Sequence, residues 1–198
     1  MADEQAFRQR INTSTRLLEW AIGRSEFFKA ANTASQIEKF NAAGHGNAFN
    51  LIRDSIHKDL CITLAMFFDR REDSLSFRLL LEESQQFEPH AAGRLKEAKA
   101  LFDKWAQEPR QKEIRNLRNR VLAHTDITGE GHQAKYGDEM ALLDAAIQIH
   151  GAINEAYGAY LDTAALRKAW AADAEKFWNF FGRVTPLDKT SLDKKVAK

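Results

Sequence analysis

The sequence predicts an all-α protein, an antiparallel bundle of four or more helices, and three observations predict it. Apolar residues recur three and four positions apart along most of the chain, the period of a helix with one buried face. Only 3 Pro and 10 Gly punctuate 198 residues, while Ala, Leu, Glu, Lys and Arg abound, so helix formers outweigh turn formers. No segment reads as a strand. The length suits one domain with a real core, residues 1–185, with helical extensions at both ends and a mobile, Lys- and Asp-rich tail over 186–198.

The first helical stretch runs from about Asp3 to Phe40 with a break near Asn32-Thr33. Phe7, Ile11, Leu18 and Ile22 mark its inner face, and Ser14 and Ser25 share that row. Residues 41–47 read as a loop. Their Gly44-His45-Gly46 has the look of a phosphate loop, but no strand precedes it, so a plain turn is preferred. A helix over about Ala48 to Asp69 carries Phe49, Ile52, Ile56, Leu60, Leu64 and Phe67 and reads as the central, most buried one. Asp69 to Asp73 is a mixed charge cluster, after which Ser74-Leu75-Ser76 caps a short helix through about Glu83.

Pro89 and Pro109 stand where helices can start. The first of these spans about Pro89 to Gln107 with Leu95, Ala98, Phe102 and Trp105 inward; the second runs to about Ala123 with Ile114, Leu117 and Val121 as its stripe. Thr125 to Gly137 is a polar loop. A long helix follows from about Asp138, with Leu142, Ile149, Ile153, Ala156, Tyr160 and Ala164 at helical spacing, continuing or kinking into Leu166, Trp170, Phe177 and Phe181.

Composition excludes several function classes. A net charge of +1 gives no global attraction to nucleic acid, so such a role must rest on local clustering. The single Cys61 rules out an intrachain disulfide or a multi-Cys zinc site, and its apolar surroundings make it a buried structural thiol. The six histidines lack zinc-ligand spacing, and His57 reads as a satisfied, partly buried residue. No cofactor motif is present. The N-terminus lacks an apolar signal core and no apolar run reaches the length of a membrane span, which makes the cytoplasm the expected compartment. Trp105, Trp170, Trp178 and Phe181 recur at helical spacing, as core or dimer packing rather than base stacking.

Local charge points to one segment. Arg110, Lys112, Arg115, Arg118 and Arg120 face a single acid, Glu113, and Asn119, His124, Thr125 and Asp126 keep them company. A solvated basic helix face is the bland interpretation of such a run.

Leu117-Arg118-Asn119-Arg120-Val121-Leu122-Ala123-His124-Thr125-Asp126 resembles the signature of the HEPN superfamily: arginine, a polar residue, a short spacer, then histidine. The Ala-His-x-Asp ending, Phe67-Phe68-Asp69-Arg70 and Asp73-Ser74-Leu75-Ser76 resemble the AbiU-type abortive-infection branch, over about Ala48 to Tyr160. The resemblance implies a helical bundle that forms a homodimer and places two motifs across a cleft. It also implies a metal-independent endoribonuclease of a phage-defence or toxin–antitoxin system, with RNA as substrate and a cognate antitoxin as partner. Catalysis falls to Arg118, Asn119 and His124, and RNA contacts to Arg115, Arg120 and Asp126. Other members bind RNA or nucleotide without cleaving, and a structural helical interaction protein is the third alternative.

The residue types suit the reaction. Metal-free RNA cleavage needs a base for the ribose 2′-OH, an acid for the leaving 5′-oxygen and positive charge at the phosphorane. His124 supplies proton transfer, favoured as a cation at a helix C-terminus. Arg118 grips two phosphate oxygens through its fork, and Asn119 orients the imidazole or bonds the phosphate. Six residues of helix rise about 9 Å and turn the two side chains roughly 120° apart, so Arg118 and His124 do not share a face. Arg120 does share it with His124 and rivals Arg118 for the phosphate. Either the helix loosens near Ala123 or the site is composed across a dimer.

Overall fold

Phe7, Ile11, Ser14, Leu18, Ile22 and Ser25 form the inward row expected of them, and all of them, with Phe28, are buried along α1 (Glu4–Ala31). The computed structural model describes residues 4–69, 75–87, 91–109, 111–116 and 137–181, all-α with no strand among them. After α1 come α2 (Ala34–Ala42), α3 (Gly46–Phe67), α4 (Phe77–Phe87) and α5 (Ala92–Gln107). Residues 111–116 are helical, and α6 (Asp138–Ala156) and α7 (Thr163–Phe181) complete the described chain.

Local chemistry explains the boundaries. The break near Asn32-Thr33 is there because Thr33 caps α2, its side chain accepting from the Gln36 N–H. The Gly44-His45-Gly46 stretch is a turn: the His45 N–H bonds back to the Phe40 carbonyl at 2.9 Å, closing α2. Ser76 caps α4 through its hydroxyl to the Leu79 N–H, and that helix runs a turn past Glu83 because Phe87 stacks on Phe7 at 5.2 Å.

The apolar period that runs from Leu142 through Tyr160 and Ala164 does not describe one helix. α6 stops at Ala156, where Gly158 takes φ +64°, its N–H bonding the Glu155 carbonyl while the Ala159 N–H bonds that of Asn154. This pair of bonds satisfies the last carbonyls and needs a residue comfortable in the left-handed region. Tyr160 consequently sits in a loop, 82% exposed.

Named contacts set the directions. His150 meets Ser14 and Met140 meets Ser25, so α6 runs antiparallel to α1. Arg24 meets Asp59 and Thr63 while Phe28 meets His57, so α3 is antiparallel to α1 as well. α7 runs parallel to α1: Trp170 lies over Gly23, and Trp178 donates to the Phe27 carbonyl at 3.0 Å.

α1 rather than α3 is the hub, packing against α2, α3, α4, α6 and α7. The C-terminal half of α3 is core, with Leu60, Cys61, Leu64 and Phe67 buried, but its N-terminal half opens to solvent at Leu51 and Ile52. Within that half Phe49 is buried and Ile56 packs against a smaller cluster, so Ile52 is the member of the stripe that opens to solvent. The main core joins α1, α3, α4, α5 and α6. A smaller cluster, Ala31, Phe40, Phe49, Ala174 and Trp178, fastens α2 and α7 to it. Among the described residues no helix is long and apolar enough to cross a membrane. Of the loop expected over Thr125 to Gly137 only Gly137 is described, and residues 125–136 and the tail over 186–198 lie outside the described residues.

Candidate functional site

The basic stretch enters the fold on helical residues 111–116, which the three-four rule divides cleanly. Ile114 is fully buried in the main core and Lys112 is exposed. Gln111 is buried too, and its amide donates to the Phe68 carbonyl at 3.5 Å, just beyond the end of α3. Arg115 lies half-buried beside Ile114. Of the six nominated residues it alone falls among the described residues; Arg118, Asn119, Arg120, His124 and Asp126 lie outside them.

The other flank of the segment returns at Gly137, where α6 begins, and meets a polar cluster that sequence reasoning missed. Glu139, in the first turn of α6, is 0% exposed. Its Oε1 lies 3.5 Å from Nε2 of His57, and among the described residues neither carboxylate oxygen has a hydrogen-bond partner. This is a long polar contact in which the carboxylate faces the imidazole. His57 stacks on Phe28, with ring centroids 4.6 Å apart and planes at 13°, and its Nε2 lies 3.6 Å from the Cys61 Sγ one turn on. Burial, reinforced by the Glu139 charge, pushes the Cys61 thiol up to about 12. Cys61 therefore stays a thiol at neutral pH and is no nucleophile.

The signal for Glu139 was available in its position: it precedes Leu142, Leu143 and Ala146 by three, four and seven residues and so belongs to the inward row of α6. His57 is partly buried as expected, though its partner comes from α6.

One described flank of the motif segment thus docks on α3 and the other on the residue that caps its C-terminal end. One docks at Phe68 through Gln111, the other on His57 and Cys61 through Glu139. Those seats are about 10–16 Å apart along the helix axis. A second buried histidine, His150, stands apart from this arrangement. Its Nε2 meets the Ser14 hydroxyl at 3.0 Å, and burial lowers its pKa to about 4. It is a neutral core residue. Among the described residues, no group of three or more His, Cys, Asp and Glu side chains is placed to hold a metal ion.

The sequence model of the family described as AbiU2, a HEPN family, matches residues 6–177. No curated protein and no solved structure matches the chain. The match spans every helix from α1 into α7 and includes the segment from Arg118 to His124. It extends well beyond the Ala48–Tyr160 stretch that motif resemblance covers, and takes in the hub helix and most of the helix that fastens to it. The chain belongs to the AbiU2 family of HEPN proteins.

Proposed function

We propose that this abortive-infection-associated HEPN protein is a metal-independent endoribonuclease of a phage-defence or toxin–antitoxin system, acting in the cytoplasm on RNA. The observation that carries the reading is the run Arg118-Asn119-(x)4-His124 in a chain that belongs to the AbiU2 family. In this reading His124 takes the proton of a ribose 2′-OH as that oxygen attacks the adjacent phosphorus. Arg118 or Arg120 neutralises the phosphorane, and the 5′-oxygen leaves with a proton, giving a 2′,3′-cyclic phosphate. Asn119 orients the imidazole, while Arg115 and Asp126 contact the RNA.

Arg118 and His124 diverge on an ideal helix, and one imidazole cannot be base and acid in the same step. A homodimer that pairs the two motifs resolves both difficulties, with one His124 as base and the partner's His124 as acid. A cognate antitoxin would hold the enzyme in check.

The test is cleavage of RNA in EDTA by wild type, His124→Ala and Arg118→Ala. The expected result is a cyclic-phosphate product from wild type and a loss of about 100-fold or more in both variants. Equal activity in all three overturns the assignment.

A further inference from the structure

Glu139 is an unusual group for a folded protein. Its carboxylate is wholly buried in the first turn of α6, and among the described residues neither oxygen has a hydrogen bond. Burying an acid without such partners is costly, and exceptions of this kind gather where a protein does chemistry.

The acid faces His57. Oε1 and Nε2 stand 3.5 Å apart, and Phe28 lies flat against the imidazole with centroids 4.6 Å apart, which fixes the plane of the ring. The Cys61 Sγ lies 3.6 Å from the same nitrogen. These contacts occupy one edge of the ring. On the other edge Nδ1 has no partner among the described residues, and the side chain is 20% exposed. A carboxylate behind one nitrogen, with the other nitrogen open, is the arrangement of a proton carrier: the acid sets ring orientation and tautomer, and the open nitrogen meets the substrate. Such contacts are often long in the free protein and tighten when substrate binds. His150 is the contrasting case, bonded to Ser14 and fully enclosed.

Attack by a ribose 2′-OH needs a second proton carrier, because the departing 5′-oxygen must be protonated as its bond to phosphorus breaks. His57 lies against the first turn of α6, the helix that follows the motif segment in the chain.

We propose that His57 is the acid of this reaction and that Glu139 is its positioning residue. The 2′-oxygen loses its proton to His124 and bonds to phosphorus. The P–O5′ bond breaks with its electron pair on oxygen, and Nδ1 of protonated His57 gives that oxygen a proton. Exchange with water then resets both imidazoles. The proposal rests on the ribonuclease reading and keeps His124 as base, but it places the acid in His57 rather than in the partner's His124.

The experiment compares, in EDTA, a natural RNA strand with the same strand carrying sulfur in place of the 5′-oxygen at the bond that is cut. A thiolate leaves without being protonated, so the acid is dispensable on the second strand. His57→Gln is expected to lower kcat by about 100-fold on the natural strand and to stay within about threefold of wild type on the sulfur strand. Glu139→Gln is expected to show the same selective loss, smaller in size, whereas His124→Ala loses activity on both. A partly unfolded variant loses both in proportion, so selectivity between the strands separates chemistry from folding. His57→Gln as active as wild type on the natural strand overturns the assignment and leaves the ribonuclease reading, with the partner's His124 as acid, standing. An equal loss on the two strands also overturns it and marks His57 as a packing residue. Glu139→Gln at wild-type rates overturns the positioning role. A wild type that cuts neither strand overturns the ribonuclease reading and this proposal with it.

Discussion

The carboxylate of Glu139 and the imidazole of His57 face each other at 3.5 Å across the α3–α6 contact, the acid wholly buried and the histidine partly open to solvent. Among the described residues neither carboxylate oxygen has a hydrogen bond, and the His57 imidazole is a polar group that faces the buried acid.

His57→Leu puts an apolar side chain against that buried acid and is expected to destabilise the fold by about 1–3 kcal/mol, the range for leaving a buried polar group unsatisfied. His57→Leu with Glu139→Leu removes both polar groups and should recover most of that loss. Urea unfolding of the two variants beside wild type measures this directly. A double variant no more stable than the single one contradicts the pairing.

His150 makes stability depend on acid. Burial lowers its folded pKa to about 4, below that of an exposed histidine in the unfolded chain. The unfolded state therefore takes up the proton first. This residue's contribution is complete above about pH 6.5 and is lost as pH falls toward 4, amounting to about 2–3 kcal/mol between pH 7.5 and 4.5. His150→Gln should remove that share of the acid sensitivity, leaving the carboxylate contribution. Unfolding free energies of both proteins at the two pH values give the difference, and parallel pH profiles would contradict the assignment.

Gly23 lets α7 lie close to α1. A Cβ there would come within 2.8 Å of the Trp170 indole. Gly23→Val should force the tryptophan outward and lower stability by about 1–3 kcal/mol, the usual cost of overpacking. Thermal melts report the loss, and tryptophan fluorescence should shift to the red as Trp170 enters water. An unchanged spectrum and melting point would show that the helices do not meet there.

Much of this was legible in the residues, and the exceptions have physical causes. The break at Asn32-Thr33 could be read because a threonine side chain competes for backbone N–H groups, and it does so here. The run through Tyr160 and Ala164 misled because hydrophobic period says nothing about a single left-handed glycine, and Gly158 reverses the chain inside it. Ile52 reads as core because a stripe records which face of a helix is apolar, not which part of that face has a neighbour. Glu139 was overlooked because an acid in a first turn is an ordinary complement to the helix dipole. As for the site, the spacing from Arg118 to His124 is a property of sequence alone. The structure adds the two flanks: Gln111 and Ile114 before it, Glu139 after it.

The parallel seating of α7 on α1 also governs how the molecule comes to exist. Phe27 and Trp178 are joined by a hydrogen bond yet stand 151 positions apart. At ordinary translation speeds that interval is roughly 10–30 s. Through it the nascent chain displays Gly23, Phe27 and Ala31 with no Trp170 or Trp178 to cover them. The newborn polypeptide thus carries a sticky helix for most of its synthesis, a window in which a chaperone, or a neighbouring chain on the same message, can reach that surface before its own last helix does.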